Sequence, residues 1–285
     1  CKALLICFFA VVIVGGCSAF GVISGIIASA PSIEDIDATP TGYLTTVLDN
    51  QGNQTATLVA SGSNRKYVTI NEIPINLQHA FVAIEDERFY DHNGIDLQGI
   101  LRAGLKGVAS GFHFSEGAST ITQQLLKNTV FTQWTSEQSM ADKFERKFQE
   151  QYLALQLEKV VDKDWILENY LNAINLGQNT LGVGVASERY FGKDVSDLTL
   201  SECAVLAAIT QSPSYYNPIT HPDHNKERRQ KVLNNMLDQG YISQSEYDEA
   251  VADNVYDRIQ VVNVESQDEN INSYFVDEMT DQIVQ

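Results

Sequence analysis

Cysteine is scarce: the 285 residues hold four, and Cys1, Cys7 and Cys17 lie in or beside a single apolar run. That placement excludes a disulfide-built fold. Cys203 stands in an apolar helical pattern with no polar activating partner nearby, so it reads as a core residue, not a nucleophile. The five histidines show no His-x-x-x-His spacing, which argues against a structural zinc. Positive charge is short too. Nineteen Lys and Arg against 37 Asp and Glu leave a net charge of −18, unsuited to a nucleic-acid partner or to a polybasic membrane patch. The deficit is uneven. Residues 241–285 hold eleven acids and one arginine, whereas Arg102 to Lys147 holds six basic residues and four acidic ones, so a locally positive groove is compatible with the acidic total. The Gly-x-Gly at 182–184 follows no strand rich in β-branched residues, which excludes a dinucleotide site.

Charge is missing altogether from Ala3 to Ala30. A helix of that length, at ~1.5 Å per residue, exceeds a ~30 Å hydrocarbon core and spans it with some tilt. Lys2 precedes the run and Glu34, Asp35 and Asp37 follow it, so the N-terminus is expected in the cytoplasm and the body outside. A cleaved signal peptide is the rival reading, since Val14-Gly15-Gly16-Cys17 has the look of a lipobox. The apolar run continues past Cys17, which favours an uncleaved anchor. A starting methionine is absent, and the numbered chain is expected to begin inside a longer protein.

Three segments carry candidate chemistry. Leu77, Phe81 and Ile84 recur at helical spacing, and the stripe then meets Glu85 and Arg88. A helix over 77–91 is predicted, with Phe89 one turn beyond Glu85 and Asn93-Gly94 as its stop. A carboxylate beside Phe81, Val82 and Phe89 is partly desolvated, which moves its pKa up toward the range of proton transfer. From this segment alone, an acid at the rim of a core is the simpler reading. In Gly117-Ala-Ser-Thr-Ile-Thr-Gln-Gln124, Thr120 and Gln123 have capping-box spacing, so a helix begins after a glycine-bearing loop. Such a start suits a phosphate or pyrophosphate, and Lys127, on the face of Thr120 and Gln124, adds a point charge. An ordinary capped helix has the same pattern. A longer helix is expected over 137–161, with Met140, Phe144, Phe148, Tyr152 and Leu155 as its buried stripe. Arg146 and Glu150 on another face read as a surface salt bridge worth ~0.3–0.5 kcal/mol.

Five blocks in order resemble the peptidoglycan glycosyltransferases, the glycosyltransferase modules of class A penicillin-binding proteins and their monofunctional relatives. They are Glu-Asp-x-x-Phe-x-x-His-x-Gly (85–94), Gly-x-Ser-Thr-Ile-Thr-Gln-Gln (117–124), Arg-Lys-x-x-Glu (146–150), Ile-Leu-Glu-x-Tyr-Leu-Asn (166–172) and a glycine-rich block ending Tyr-Phe-Gly-Lys (182–193). The resemblance implies joining of lipid II units into a glycan strand by inverting transfer, with loss of undecaprenyl pyrophosphate. It implies Glu85 as the base. Lys127, Arg146 and Lys147 are implied around the pyrophosphate, with Ser119, Thr120, Gln123 and Gln124 as hydrogen-bonding residues. Glu150 is implied as a second acid that orients Arg146 or helps hold a divalent cation, magnesium or manganese, with no organic cofactor. Asp86, Phe89 and His92 are implied as support, His92 by positioning and not as a base. Implied partners are lipid II, the growing strand, the membrane and other wall-synthesis proteins, with the catalytic body outside the cell membrane on a single span.

The implied fold is mainly α, a lysozyme-like two-lobed module behind an N-terminal transmembrane helix and a short β-prone linker. Helices are expected near 77–91, 96–110, 119–131, 137–161, 163–174, 199–211, 222–240 and 243–253, with a turn near Gln51-Gly52-Asn53. The expected domains are an anchor at 1–30, a β-prone linker at 31–75, the glycosyltransferase domain at 76–254, and at 255–285 the start of a linker toward a transpeptidase domain. Ile259–Val264 is expected as a short strand. Gly111–Phe114 and Val130–Trp134 are candidate membrane-facing loops. No Ser-x-x-Lys acylation motif with its partner motifs occurs, so a truncated class A protein is expected. Two other classes stay open. A lysozyme-like glycan-cleaving enzyme also uses a half-buried Glu but needs no pyrophosphate cradle. A non-catalytic, membrane-anchored wall-synthesis scaffold tolerates loss of Glu85 and Glu150.

Overall fold

The computed structural model describes residues 2–58, 64–109, 117–137 and 139–261, without the side chains of 2–13, 19, 35, 54–58, 109, 135 and 136. In chain order its elements are α1 (Lys2–Ala28), β1 (Thr45–Leu48), β2 (Gln54–Leu58), α2 (Ile75–Glu85), α3 (Leu97–Ala109), α4 (Ile121–Thr129), α5 (Met140–Leu157), α6 (Lys163–Ala173), α7 (Val183–Phe191), α8 (Leu200–Ile209), α9 (Pro222–Asp238) and α10 (Gln244–Ala252). The described chain is mainly helical. It groups into two compact units, one of residues 1–38 and 90–163, the other of 39–89 and 164–285.

In the first unit α5 is the organising helix. Ser139 caps it, its hydroxyl accepting the N–H groups of Ala141 and Asp142 at 3.0 and 3.2 Å. Its buried face is Glu150, Leu153, Ala154 and Leu157, which share one side at helical spacing. The unit's core is completed by Ile121, Leu125 and Leu126 of α4. The expected stripe is therefore corrected: Met140 and Phe144 are 80% and 55% exposed. Apolar side chains are only a one-way guide to burial, and here a carboxylate with charged partners occupies the inner face instead. The C-terminal end of α1 meets α5, where Gln149 Nε2 donates to Ser29 Oγ at 3.1 Å. Leu97, Leu101, Leu105 and Val108 of α3 make an exposed apolar stripe. Among the described residues no helix is long and apolar enough to cross a membrane, the described side chains of α1 beginning at Val14.

In the second unit α8 is apolar all round and buried from Ser201 to Ile209, as expected of a central helix. The Thr199–Glu202 capping box starts it. Leu77 and Phe81 of α2, Ile166, Leu167 and Tyr170 of α6, and Val232, Leu233 and Met236 of α9 are fully buried in the same unit. The β1–β2 hairpin pairs Val47 with Ala56, and its turn is held by Asp49 Oδ1, which accepts the N–H groups of Gln51 and Asn53, both at 2.8 Å. Helix α7 stands where glycines seemed to break the chain. Gly182, at φ +85°, forms its N-cap, and a Cβ there would lie 2.7 Å from the Asn172 carbonyl oxygen. Gly182 thus marks a close backbone approach at a helix start and not an absence of structure. Val255–Arg258 is a 3₁₀ turn, and Ile259 to Val261 are not in a strand. The rest of that expected strand, and Gly111–Phe114, lie outside the described residues.

Candidate active site

The cation-bearing residues come together in the first unit. Ser119, Gln123, Gln124, Lys127, Trp134, Arg146, Lys147 and Glu150 line one cavity of about 200 Å³. Gly94 positions its floor. At φ +92° it packs against α5 so tightly that a Cβ would fall 2.5 Å from the Ala154 carbonyl oxygen. The Gly94 carbonyl then accepts from Thr120 Oγ1 at 2.8 Å and Gln123 Nε2 at 3.2 Å. Thr120 Oγ1 also accepts the Gln123 N–H at 3.2 Å, capping α4. The Thr120 hydroxyl is thus engaged within the protein, and the cavity wall beside it is made by Ser119 and Gln123. Gln123 Oε1 is buried without a hydrogen-bond partner among the described residues. His92 shapes the same turn: its Nδ1 accepts the Gly94 N–H at 3.2 Å, and Lys163 Nζ donates to its carbonyl at 2.7 Å.

Arg146 and Glu150 are not a surface pair. The Glu150 side chain is 1% exposed. Arg146 Nη1 donates to its Oε1, and Lys147 Nζ lies 3.0 Å from its Oε2. Lys147 Nζ also donates to Ser119 Oγ at 2.8 Å, tying α5 to the loop before α4. Arg146 Nε donates to Glu137 Oε1 at 2.8 Å. Burial works against the guanidinium charge, but the hydrogen bonds and charges of Glu137 and Glu150 outweigh it and hold the Arg146 pKa above its ordinary value. Two fixed cations, ordered by the buried Glu150 and, for Arg146, by the half-buried Glu137, are what a developing anion requires. Both Glu150 oxygens are committed to these cations, and among the described residues no three His, Cys, Asp or Glu converge as a metal set. Among the described residues, a metal at Glu150 would have to share its oxygens with Arg146 and Lys147.

Glu85 belongs to the second unit. It is the last residue of α2, which ends here and not near residue 91. Asp86 is a non-helical C-cap with φ −154° and ψ 72°, and the Phe89 N–H closes a turn onto the Asp86 carbonyl at 2.9 Å. The turn carries Phe89 into the core, fully buried, and that burial is why the helix stops early. The Glu85 side chain is 13% exposed. Thr210 Oγ1 donates to its Oε1, and Arg228 Nη2 lies 3.7 Å away. Tyr170 is fully buried in the same unit, and burial first, then the charges of Glu85 and Asp86, drives its phenol pKa well up.

Sequence reasoning missed Trp134 and Glu137 in the first unit and Thr210, Tyr170 and Arg228 in the second. Arg228-Arg229 offered a signal, as paired arginines in the acidic half of the chain. Arg229 is structural, donating to Ser201 Oγ at 2.7 Å and to the Ala250 carbonyl, whereas Arg228 faces Glu85. Thr210, past the end of α8, gave no signal.

Comparison with known proteins bears on the family. The Transglycosylase family model matches residues 51–237, a range that contains all five sequence blocks. Penicillin-binding protein 1F of Bacillus subtilis (strain 168) is 48% identical over 201 residues, 70% of this chain and 27% of that protein. Penicillin-binding protein 1A of Clostridium perfringens (strain 13 / Type A) is 43% identical over 235 residues, 79% of this chain and 33% of that one. Penicillin-binding protein 1A/1B of Bacillus subtilis (strain 168) is 39% identical over 282 residues, 98% and 29%. The chain spans about a third or less of the length of these relatives. With the match covering more than half of its residues, the chain belongs to the transglycosylase family.

Proposed function

We propose that this chain joins lipid II units into peptidoglycan glycan strands, as a peptidoglycan glycosyltransferase. In this reading Glu85 removes the proton of the acceptor sugar hydroxyl as that oxygen attacks the anomeric carbon from the face opposite the leaving group. The bond from the anomeric carbon to the pyrophosphate oxygen breaks, and undecaprenyl pyrophosphate leaves with the electron pair. Lys127, Arg146 and Lys147 meet its charge, Ser119 and Gln124 supply hydrogen bonds, and the Gln123 Oε1 acceptor suits an N–H or O–H of the sugar headgroup. Glu150 keeps Arg146 and Lys147 in place. Thr120, with Asp86, Phe89 and His92, holds the backbone that carries these groups. The supporting observation is the Arg146–Lys147 pair of cations held by the buried Glu150 on a cavity shared with Lys127. A glycan-cleaving site has no use for it. A divalent cation, magnesium or manganese, is assigned to the pyrophosphate oxygens as part of the substrate, and no protein step depends on it.

The proposed setting is the outer face of a cell membrane. Helix α1 has 27 residues, ~40 Å at the usual rise, against a ~30 Å hydrocarbon core, and would be the single span. The exposed apolar stripe of α3 suits contact with the same membrane. Proposed boundaries are an anchor at 1–30, a linker at 31–75, a lysozyme-like two-lobed domain at 76–254 and a further linker from 255. Other wall-synthesis proteins are the proposed partners. The test is incubation of labelled lipid II with the purified chain in detergent and a divalent cation. Polymer with released undecaprenyl pyrophosphate supports the reading. Cleavage of preformed glycan without polymer supports a hydrolase, and inertness of the folded protein on both substrates supports a scaffold.

A further inference from the structure

Between α4 and α5 runs a segment that belongs to none of the five sequence blocks. It consists of the 3₁₀ turn Thr132–Ser136 and Glu137. Chain reversal after the α4 C-cap at Val130 brings Trp134 back to Lys127, whose ammonium sits 4.2 Å from the centre of the indole ring. Trp134 is 37% exposed and lines the cavity. Three residues later, Glu137 Oε1 accepts from Arg146 Nε at 2.8 Å, with both side chains about 15% exposed. Glu137 Oε2 is buried with no hydrogen-bond partner among the described residues, so the recorded hold on this carboxylate is Arg146. One short segment therefore touches two separate cations of one cavity, by two different kinds of contact.

We propose that Trp134 and Glu137 form a positioning strap that sets the places of Lys127 and Arg146 against the leaving pyrophosphate. The strap rests on the reading of this cavity as the pyrophosphate site. The two contacts have different electrostatic effects. Trp134 orients Lys127 through the negative face of its ring without changing the net charge. Glu137 orients Arg146 at the cost of one negative charge beside an anion. Loss of the indole face therefore weakens binding. Loss of the carboxylate leaves binding intact or tighter and slows turnover, because Arg146 is no longer aimed where charge develops.

The experiment uses the whole chain in detergent. It measures affinity for farnesyl pyrophosphate, as a soluble isoprenyl pyrophosphate probe, and kcat and KM for lipid II. Trp134→Ala is expected to weaken farnesyl pyrophosphate binding about fivefold, the worth of a modest cation–π contact, and Trp134→Phe to recover most of it. Glu137→Ala is expected to lower kcat about tenfold without raising KM. Glu137→Gln keeps the acceptor for Arg146 Nε and is expected to restore kcat to within about twofold. If either alanine variant fails to fold, Trp134→Leu or Glu137→Met replaces it. The strap is overturned if both truncated variants stay within about twofold of the parent in all three quantities, or if the conservative variants fall as far as the truncated ones. A parent that binds the probe but makes no polymer overturns the transferase reading and with it the Glu137 half of the strap, whereas the Trp134 affinity series still decides the Lys127 half. A parent that binds no probe overturns both.

Discussion

The cluster around Glu150 predicts an asymmetry between two substitutions on the same ion pair. In Arg146→Met the Glu150 carboxylate, 1% exposed, keeps Lys147 as its charged partner among the described residues, and Lys147 is itself 38% exposed. Removing one partner of a buried pair costs about 3–5 kcal/mol, because the remaining charge stays in a medium that does not solvate it. In Glu150→Gln the groups left behind are better provided for. Arg146 retains Glu137 at 2.8 Å, and Lys147 is open enough to water to be resolvated. That loss is closer to about 1–2 kcal/mol, a charged hydrogen bond partly replaced by a neutral one. At roughly 4 °C per kcal/mol for a unit of about 110 residues, the midpoints should drop by about 12–20 °C and about 4–8 °C respectively. Thermal unfolding of the purified variants, followed by far-UV circular dichroism, measures both. The double variant Arg146→Met/Glu150→Gln should be more stable than Arg146→Met alone, since it neutralises Glu150, the more deeply buried of the two carboxylates, Glu150 and Glu137, that lose the guanidinium. An Arg146→Met protein as stable as Glu150→Gln, or a double variant no more stable than Arg146→Met, would refute this account of the cluster.

Gly94→Ala should destabilise the first unit by about 1–3 kcal/mol for its left-handed φ and by a similar amount for the clash with α5, read as a lowered urea midpoint. Glu202 titrates below its ordinary 4.5: burial pushes its pKa up, but hydrogen bonds from Lys193, the Thr199 N–H and Arg258 outweigh that. A depressed carboxylate stabilises the fold above 4.5 and loses that contribution as pH falls through the lower folded value. Stability should therefore decline with acidification below about 4.5, and Glu202→Gln should flatten that decline in unfolding curves taken across the window. Cys203 is fully buried, and burial followed by the Glu202 charge drives its thiol pKa far up. It should resist a thiol-reactive dye in the folded chain and react at once in urea, whereas exposed Cys17 should react in both states wherever detergent leaves it accessible.

Much of the helical order was legible because it rests on periodicity. The patterns over 163–174, 199–211, 222–240 and 243–253 lie within a residue or two of α6, α8, α9 and α10. Periodicity failed where a tertiary contact outranked it. Burial of Phe89 ends α2 at Glu85, and the buried Glu150 turns Met140 and Phe144 of α5 outward. Helix α7 was hidden by the glycine that allows its close approach to α6. At the candidate site, Lys127, Arg146, Lys147 and Glu150 were legible as a set because motif spacing names them, and the fold brings them to one cavity. Trp134, Glu137 and Thr210 were not, since their roles come from chain reversal and packing and not from local pattern. The Arg146–Glu150 spacing was visible, but its depth was not. Sequence spacing specifies that two residues meet, whereas only the packing around them sets the dielectric in which they do so.

The proposed reaction stands on Glu85 as the base of a lipid II polymerase. The most direct measurement compares polymer formation from purified lipid II by this chain and by Glu85→Gln, with circular dichroism as the check on folding. Glutamine keeps an acceptor for Thr210 but cannot take the proton, so the account predicts polymer from the parent and a loss of about 10²–10⁴-fold in the folded variant. A folded Glu85→Gln protein that polymerises lipid II at the parental rate would contradict it.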